Sequence, residues 1–256
     1  MNKIIFNMVI IEVTRRCNMF CPHCLRGDAQ NVDMDLYILD KFLSNFKDGY
    51  IREILFTGGE PSLNPEAVQF TLEAVKKYNI TVQFFIMVTN GKCISDELIN
   101  IINSTENFNI AVSQDVYHDS LTEDDYKQLE KINNVYSKSF NARDTKILNI
   151  GRAKKNSIGN SISKNKHLIF SKYHDYSVVI GNIVCTCFGD VLECCDYSYD
   201  SDSTCEFKFC EYDDNLLLAL KDLSSERVFT SLESLRYTGK KMYKFFEFLR
   251  NSGIKI

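Results

Sequence analysis

Cys17, Cys21 and Cys24 stand in the run CNMFCPHC, four and then three residues apart. Two thiols make a disulfide and four cage a zinc ion, so three on one short loop is an awkward number for either. A cubic 4Fe-4S cluster has four iron corners, commonly all held by cysteine thiolates. Three thiolates leave one iron without a protein ligand, and an open position is what separates a catalytic metal site from a structural one. On the triplet alone two other readings stay open. One is a zinc site completed by His23, strained because His23 adjoins Cys24; the other is three unrelated buried thiols. A second motif, TGGEP at 57–61, supplies Thr57, Gly58, Gly59 and Glu60. Its paired glycines allow close backbone approach and expose amide groups to a polar ligand, and Glu60 offers a carboxylate to an ammonium group. A further six cysteines, Cys185, Cys187, Cys194, Cys195, Cys205 and Cys210, crowd into one stretch, with Cys93 alone between the two groups. In a reducing compartment such clusters point to metal ligation or redox chemistry rather than to disulfides.

The elements that must position these residues alternate regularly. Apolar, β-branched runs at 8–13, 51–56, 82–88, 109–112 and 146–150 are separated by helix-like segments at 36–46, 65–78, 95–102 and 122–136. Ser95 and Thr122 read as helix starts with acidic first turns. Strand and helix in alternation, with short connections, predict an α/β fold with a parallel sheet covered by helices, closed or half-closed as a barrel. The cysteine triplet then follows the first strand and TGGEP ends the second, where a barrel places its ligand loops. After Gly151 the polar, basic segment 152–166 predicts an exposed loop. A sixth strand at 177–184 precedes the cysteine-rich stretch, and helices follow at 215–223 and 231–250, the last with Met242, Phe245, Phe246 and Leu249 on one face. This divides the chain into a barrel over 1–184 and an extension over 185–256.

Composition bounds the rest. The 256 residues are 45% hydrophobic and carry a net charge of −4, so no global positive field advertises nucleic acid or an anionic membrane. No run approaches the roughly 20 apolar residues of a membrane span. The N-terminal MNKIIFNMVIIEVTRR reads as a buried strand rather than a signal peptide, since no small-residue cleavage site follows. A cytoplasmic protein is expected.

The C-x3-C-x2-C triplet, with a GGE turn one helix and one strand later, resembles the radical S-adenosylmethionine (radical SAM) superfamily. The resemblance implies an enzyme with a partial (β/α)6 barrel in which Cys17, Cys21 and Cys24 hold a 4Fe-4S cluster. SAM chelates the fourth iron through its amino and carboxylate groups, and reduction cleaves it to methionine and a 5′-deoxyadenosyl radical that takes hydrogen from a substrate. Thr57, Gly58, Gly59 and Glu60 are then SAM-binding, the last three at the methionyl amino group, with His23 beside the adenine. Ser113 and Asp115 of VSQD, ending the fourth strand, are assigned to the ribose hydroxyls. TNGK at 89–92 either lines the same mouth or merely turns into the next helix. GRA at 151–153 resembles family members that modify peptides, and Arg152 is either a partner of the SAM carboxylate or an exposed loop arginine. Gly189-x4-Cys194 resembles part of the SPASM or twitch extensions, in a degenerate form that lacks the usual upstream cysteine and any cysteine after Cys210. It implies one second centre, cluster or zinc, drawn from Cys187, Cys194, Cys205 and Cys210, against a remnant with free thiols. The expected substrate is a peptide or protein, the alternative a nucleoside or cofactor precursor, and a flavodoxin- or ferredoxin-type protein would be the reductant. A non-catalytic zinc protein is the reading from another class, and the GGE turn argues against it. Arg26-Gly27-Asp28 spells an adhesion tripeptide, but it directly follows the cluster loop and is given no adhesive role.

Overall fold

The structure, a computed structural model, describes residues 4–139, 146–162, 170–172, 178–200 and 207–225. Six strands run parallel: β1 (Ile4–Thr14), β2 (Tyr50–Gly58), β3 (Thr81–Thr89), β4 (Phe108–Gln114), β5 (Val135–Ser139) and β7 (Val178–Cys185). Antiparallel β6 (Phe170–Lys172), β8 (Asp190–Leu192) and β9 (Lys208–Glu211) complete one curled mixed sheet in the order β5-β4-β3-β2-β1-β7-β8-β9, with β6 paired to β7 off this path. The helices are α1 (Leu36–Ser44), α2 (Pro65–Lys77), α3 (Asp96–Asn103), α4 (Glu123–Glu130), α5 (Gly151–Lys155) and α6 (Leu216–Ser225). This is the expected α/β partial barrel. Ser95 caps α3 by accepting from the Leu98 amide, and Thr122 with Asp125 forms a capping box on α4.

The sixth parallel strand does not extend the row beyond β5. It pairs with β1, Ile4–Ile11 against Val178–Cys185, and so moves β1 from the edge to the interior. That placement explains why β1 reads as an unbroken apolar run: both of its faces are covered. Val9, Ile11 and Val13 join the core beneath α1, α2 and α3, while Ile10 points the other way into a second cluster with Val184, Leu192, Tyr197 and Phe207. The sheet continues past residue 184 without a break, since β7 hydrogen-bonds to β8 and β8 to β9.

Three local expectations are corrected. The helix expected over 122–136 stops at Glu130, and the chain re-enters the sheet as β5 after Asn133-Asn134, residues that favour turns over helix. The fifth strand is therefore Val135–Ser139 rather than 146–150, where Leu148 makes only an isolated bridge to Ser161. The expected loop after Gly151 begins as α5, with Arg152 and Ala153 buried. The helix expected over 231–250 lies outside the described residues. Among the described residues no helix is long and apolar enough to cross a membrane.

Ile183 on β7 is fully buried opposite Val9. Ile183→Ala should cost about 2–5 kcal/mol in chemical denaturation, whereas Ile162→Ala, at a position 80% exposed, should cost nothing measurable. Equal midpoints for the two variants would mean that β7 is not a central strand.

Candidate functional site at the C-terminal mouth of the sheet

The cysteine triplet lies on the segment that leaves the end of β1, and all three thiols are half-buried. Turns tighten the loop: the Cys24 amide donates to Cys21 O at 3.2 Å and the Gly27 amide to Cys24 O at 3.4 Å. Burial pushes the Cys21 thiol up to about 12, with the neighbouring charges of Cys24 and Cys17 adding to it and Arg152 opposing. Burial likewise raises Cys17, against a hydrogen bond from the Met19 backbone. The three thiols do not form a trio with ligand atoms within 4.8 Å of one another. A single tetrahedral zinc would hold sulfurs about 3.8 Å apart, given Zn–S bonds of about 2.3 Å. The three thiols are therefore not arranged as ligands of one zinc ion.

The GGE turn is built against this loop. A Cβ at Gly58 would fall on the Thr14 carbonyl, and one at Gly59 on the Arg16 carbonyl. The Gly59 amide donates to Thr14 O at 2.8 Å and the Glu60 amide to Arg16 O at 2.7 Å. The amides are therefore spent inside the protein, not exposed to a ligand as the sequence suggested. An ammonium group needs acceptors, so the loss of those donors leaves the assigned chemistry intact. Glu60 is buried, with Oε1 accepting from the Ser62 amide (3.0 Å) and Thr89 Oγ1 (2.6 Å) and Oε2 from the Asn90 amide (2.7 Å). Burial pushes its carboxyl up, while these three donors work to hold it down. Glu60 thereby ties the end of β2 to the end of β3.

Two further grips, neither foreseen, come from side-chain amides. Asn90, in the TNGK turn, donates to Asn18 Oδ1 at 2.7 Å, so that turn holds the cysteine loop. Asn156 donates to Pro22 O at 2.9 Å. Beside it Arg152 is only 4% exposed and is not the free loop arginine that was one reading of GRA. Its backbone amide donates to Cys24 O and its Nε to Cys21 O, each at 2.9 Å, and its guanidinium lies 3.9 Å above the exposed Phe20 ring. Gly151 makes this possible. Its φ is +56°, and a Cβ there would lie 2.7 Å from Cys24 O.

His23, Ser113 and Asp115 meet at the same mouth from two directions. Ser113 is partly exposed on β4. Asp115 has turned away from solvent: its side chain is 5% exposed and Oδ1 accepts from the Tyr117 amide at 2.8 Å. Burial works to raise its carboxyl, but that amide and the two adjacent imidazoles, His118 and His23, outweigh it and the pKa is lowered. The His23 ring packs against Tyr117 at 5.0 Å and His118 at 4.8 Å, and burial lowers its pKa. Tyr117 and His118 were missed because nothing in VYHD marks them until the turn at Asp115 folds them back.

The remaining cysteines are distributed rather than gathered. Cys187 and Cys210 belong with Cys185 to the core cluster under the helices, whereas Cys194 and Cys195 belong to the cluster on the opposite face. Cys187 Sγ donates to Glu12 O at 3.0 Å, and burial pushes Cys187 and Cys210 up, the latter to about 12. Cys205 lies outside the described residues. Among those described, the members proposed for a second centre form no trio of ligand atoms.

The comparisons with known proteins bear on the fold and the family. The GTP 3′,8-cyclase of Chlorobaculum tepidum is 31% identical over 98 residues, 38% of this chain and 29% of that protein. The chain spans about a third of the length of the curated relatives it matches. Among solved structures, BtrN in complex with AdoMet and 2-DOIA superposes with a TM-score of 0.51 at 22% identity, over 83% of this chain and 80% of that one. Native anSMEcpe with bound AdoMet and Cp18Cys peptide gives 0.55 at 14% identity, over 84% and 80%. These likenesses are of fold. The radical SAM superfamily model itself matches residues 11–161, from the end of β1 through the grip of Arg152 on the cysteine loop, and so the chain belongs to the radical SAM superfamily.

Proposed function

We propose that this protein cleaves SAM reductively at a 4Fe-4S cluster held by Cys17, Cys21 and Cys24, and abstracts hydrogen from a peptide or protein substrate. The observation that carries the first part is the braced loop bearing three half-buried thiols at the mouth of the sheet. Family membership implies the cluster and SAM, and the donor set fits them. When bound, they supply an adenosyl radical made by one-electron reduction of the SAM sulfonium, with methionine released. The chain's own residues bind and orient. Arg152 holds the loop through Cys21 O and Cys24 O, and its charge favours the thiolate form of Cys17 and Cys21, the form that ligates. The carbonyls of Gly58 and Gly59, with the carboxylate of Glu60, are the acceptors offered to the methionyl ammonium, and Thr57, a partly exposed residue, stands beside them. Ser113 is the hydroxyl offered to the ribose, and the face of His23 is offered to the adenine.

The peptide reading rests on GRA and on the cysteine-rich extension. A small-molecule reading is supported by the names of the cyclase and of BtrN with its bound 2-DOIA. A flavodoxin- or ferredoxin-type reductant is expected for either. An extract of host cells grown in deuterated medium, separated by size, distinguishes the two. Deuterium should enter 5′-deoxyadenosine with the peptide and protein fraction; transfer from the small-molecule fraction alone would replace this reading with the other.

Cys17→Ala, Cys21→Ala and Cys24→Ala should each reduce 5′-deoxyadenosine formation to background while far-UV circular dichroism stays unchanged. Turnover at the wild-type rate in any of them would remove the cluster from the assignment. Gly59→Val should lower iron content and SAM affinity together, because the added side chain meets the Arg16 carbonyl, which belongs to the cluster loop itself. Full iron with weakened SAM binding would show instead that the turn serves SAM alone.

A further inference from the structure

Beyond the end of β4 the chain turns at Asp115 and brings His118 back beside it, while His23 arrives at the same point from the cluster loop. We propose that His23, Asp115 and His118 form a site for one divalent first-row metal ion, zinc, separate from the cluster on Cys17, Cys21 and Cys24. One ligand atom from each residue lies within 4.8 Å of the other two, and this is the only such trio among the described residues. His23 Nε2 is 3.7 Å from Asp115 Oδ2, and His118 Nδ1 is 2.9 Å from Asp115 Oδ1. In a tetrahedral zinc site with bonds of about 2.0–2.1 Å, neighbouring nitrogen and oxygen ligands lie about 3.3 Å apart. The two separations lie on either side of that value but run to different oxygens of the carboxylate, so one oxygen serves both rings only after the rings rotate.

The hydrogen bonding points the same way. His118 Nδ1 is buried and already paired with Asp115 Oδ1 at 2.9 Å, whereas His23 Nδ1 is buried and unpartnered. His23 Nε2, at 3.7 Å, is beyond hydrogen-bonding reach of the carboxylate. Buried polar atoms are seldom left so, and an ion or a water is the usual reason. Two imidazoles and one carboxylate suit zinc better than calcium or magnesium, which prefer all-oxygen sets. The ligands are also oriented from behind: the Tyr117 amide holds Asp115 at 2.8 Å, and the Tyr117 ring packs on His23. Three protein ligands leave the fourth position to water or to a substrate atom, the arrangement of a catalytic rather than a structural zinc. Ligation uses the imidazole lone pair in the ring plane and leaves the ring face of His23 for the adenine.

The test uses the full-length protein with its cluster reconstituted anaerobically, supplied with zinc(II) alone, desalted, and analysed for iron and zinc. One zinc per chain is expected alongside unchanged iron. It should fall by roughly tenfold or more in Asp115→Asn and in His118→Ala. His118→Cys, which puts a competent ligand in the same place, should retain it. Substoichiometric zinc in the wild type, zinc gained only as iron is lost, or equal zinc in all variants would overturn the site. Iron lost together with zinc in both Asp115→Asn and His118→Ala would also overturn it, since these residues would then be bracing the cluster loop rather than holding an ion.

Discussion

The Gly58-Gly59 backbone rests on the carbonyls of Thr14, Arg15 and Arg16 with no room for a Cβ at either glycine, and the mouth of the sheet is built outward from that contact. The β1–β2 ladder shifts register between Glu12 and Thr14, so β1 begins to peel away just before its end. The bonds from the Gly59 amide to Thr14 O and from the Glu60 amide to Arg16 O carry the pairing past the last strand residue. They set the direction in which the cysteine loop departs. The same turn then delivers Glu60 to Thr89 and Asn90, so one backbone approach fixes the ends of three adjacent strands relative to the thiols.

A loop with few core side chains loses about 1–2 kcal/mol of conformational freedom per residue on ordering, and something must offset that. Here the offset comes from four sides. β2 contributes the glycine turn, β3 contributes Asn90, α5 contributes Arg152 and Asn156, and the extension contributes the fourth hold. Arg26 Nη1 donates to Cys195 O (2.8 Å) and Tyr197 O (3.0 Å), the Tyr199 amide donates to Arg26 O at 2.7 Å, and the guanidinium lies 3.8 Å above the Tyr197 ring. A desolvated pairing of that kind is worth about 2 kcal/mol. Arg26 is buried in this contact, so the arginine of the adhesion tripeptide is not presented. Beneath it the fully buried Glu12 accepts from Arg15 Nε at 2.6 Å, from the Tyr197 hydroxyl and from the Cys187 amide at 3.3 Å. The extension therefore braces the cluster loop through its aromatic and backbone groups.

What the sequence made legible was whatever depends on near neighbours in the chain. Strand and helix alternation, the caps at Ser95 and Thr122, and the placement of both motifs after strands all follow from local pattern and short connections. What it hid depends on partners far along the chain. No periodicity could say that 178–185 would lie beside β1 rather than beyond β5. Arg152 looked like a loop residue because its partners, the carbonyls of Cys21 and Cys24, lie more than a hundred positions earlier and carry no side-chain signature. The amides of the glycine turn looked available for the same reason: the carbonyls that use them belong to another strand end.

The two groups of cysteines show how the same side chain takes different work from topology. Burial raises the thiol pKa of Cys17 and Cys21 in one group and of Cys187 and Cys210 in the other, so that shift does not separate them. Position does. Cys17, Cys21 and Cys24 share one half-buried loop that leaves the end of β1, with Arg152 bonded to its backbone at Cys21 O and Cys24 O. Cys185 and Cys194 follow the period-2 alternation of β7 and β8 and its continuation, which sends them to opposite faces. There Cys185 packs in the core as a small apolar side chain, and Cys194 Sγ accepts from the Asp196 amide at 3.3 Å. A thiol that donates to Glu12 O, as Cys187 does, is already occupied by the same buried carboxylate residue that anchors Arg15 and Tyr197. Its thiol donates to the Glu12 backbone carbonyl and its amide to the Glu12 carboxylate, so Cys187 is committed to Glu12 twice over, on the face opposite to Cys194.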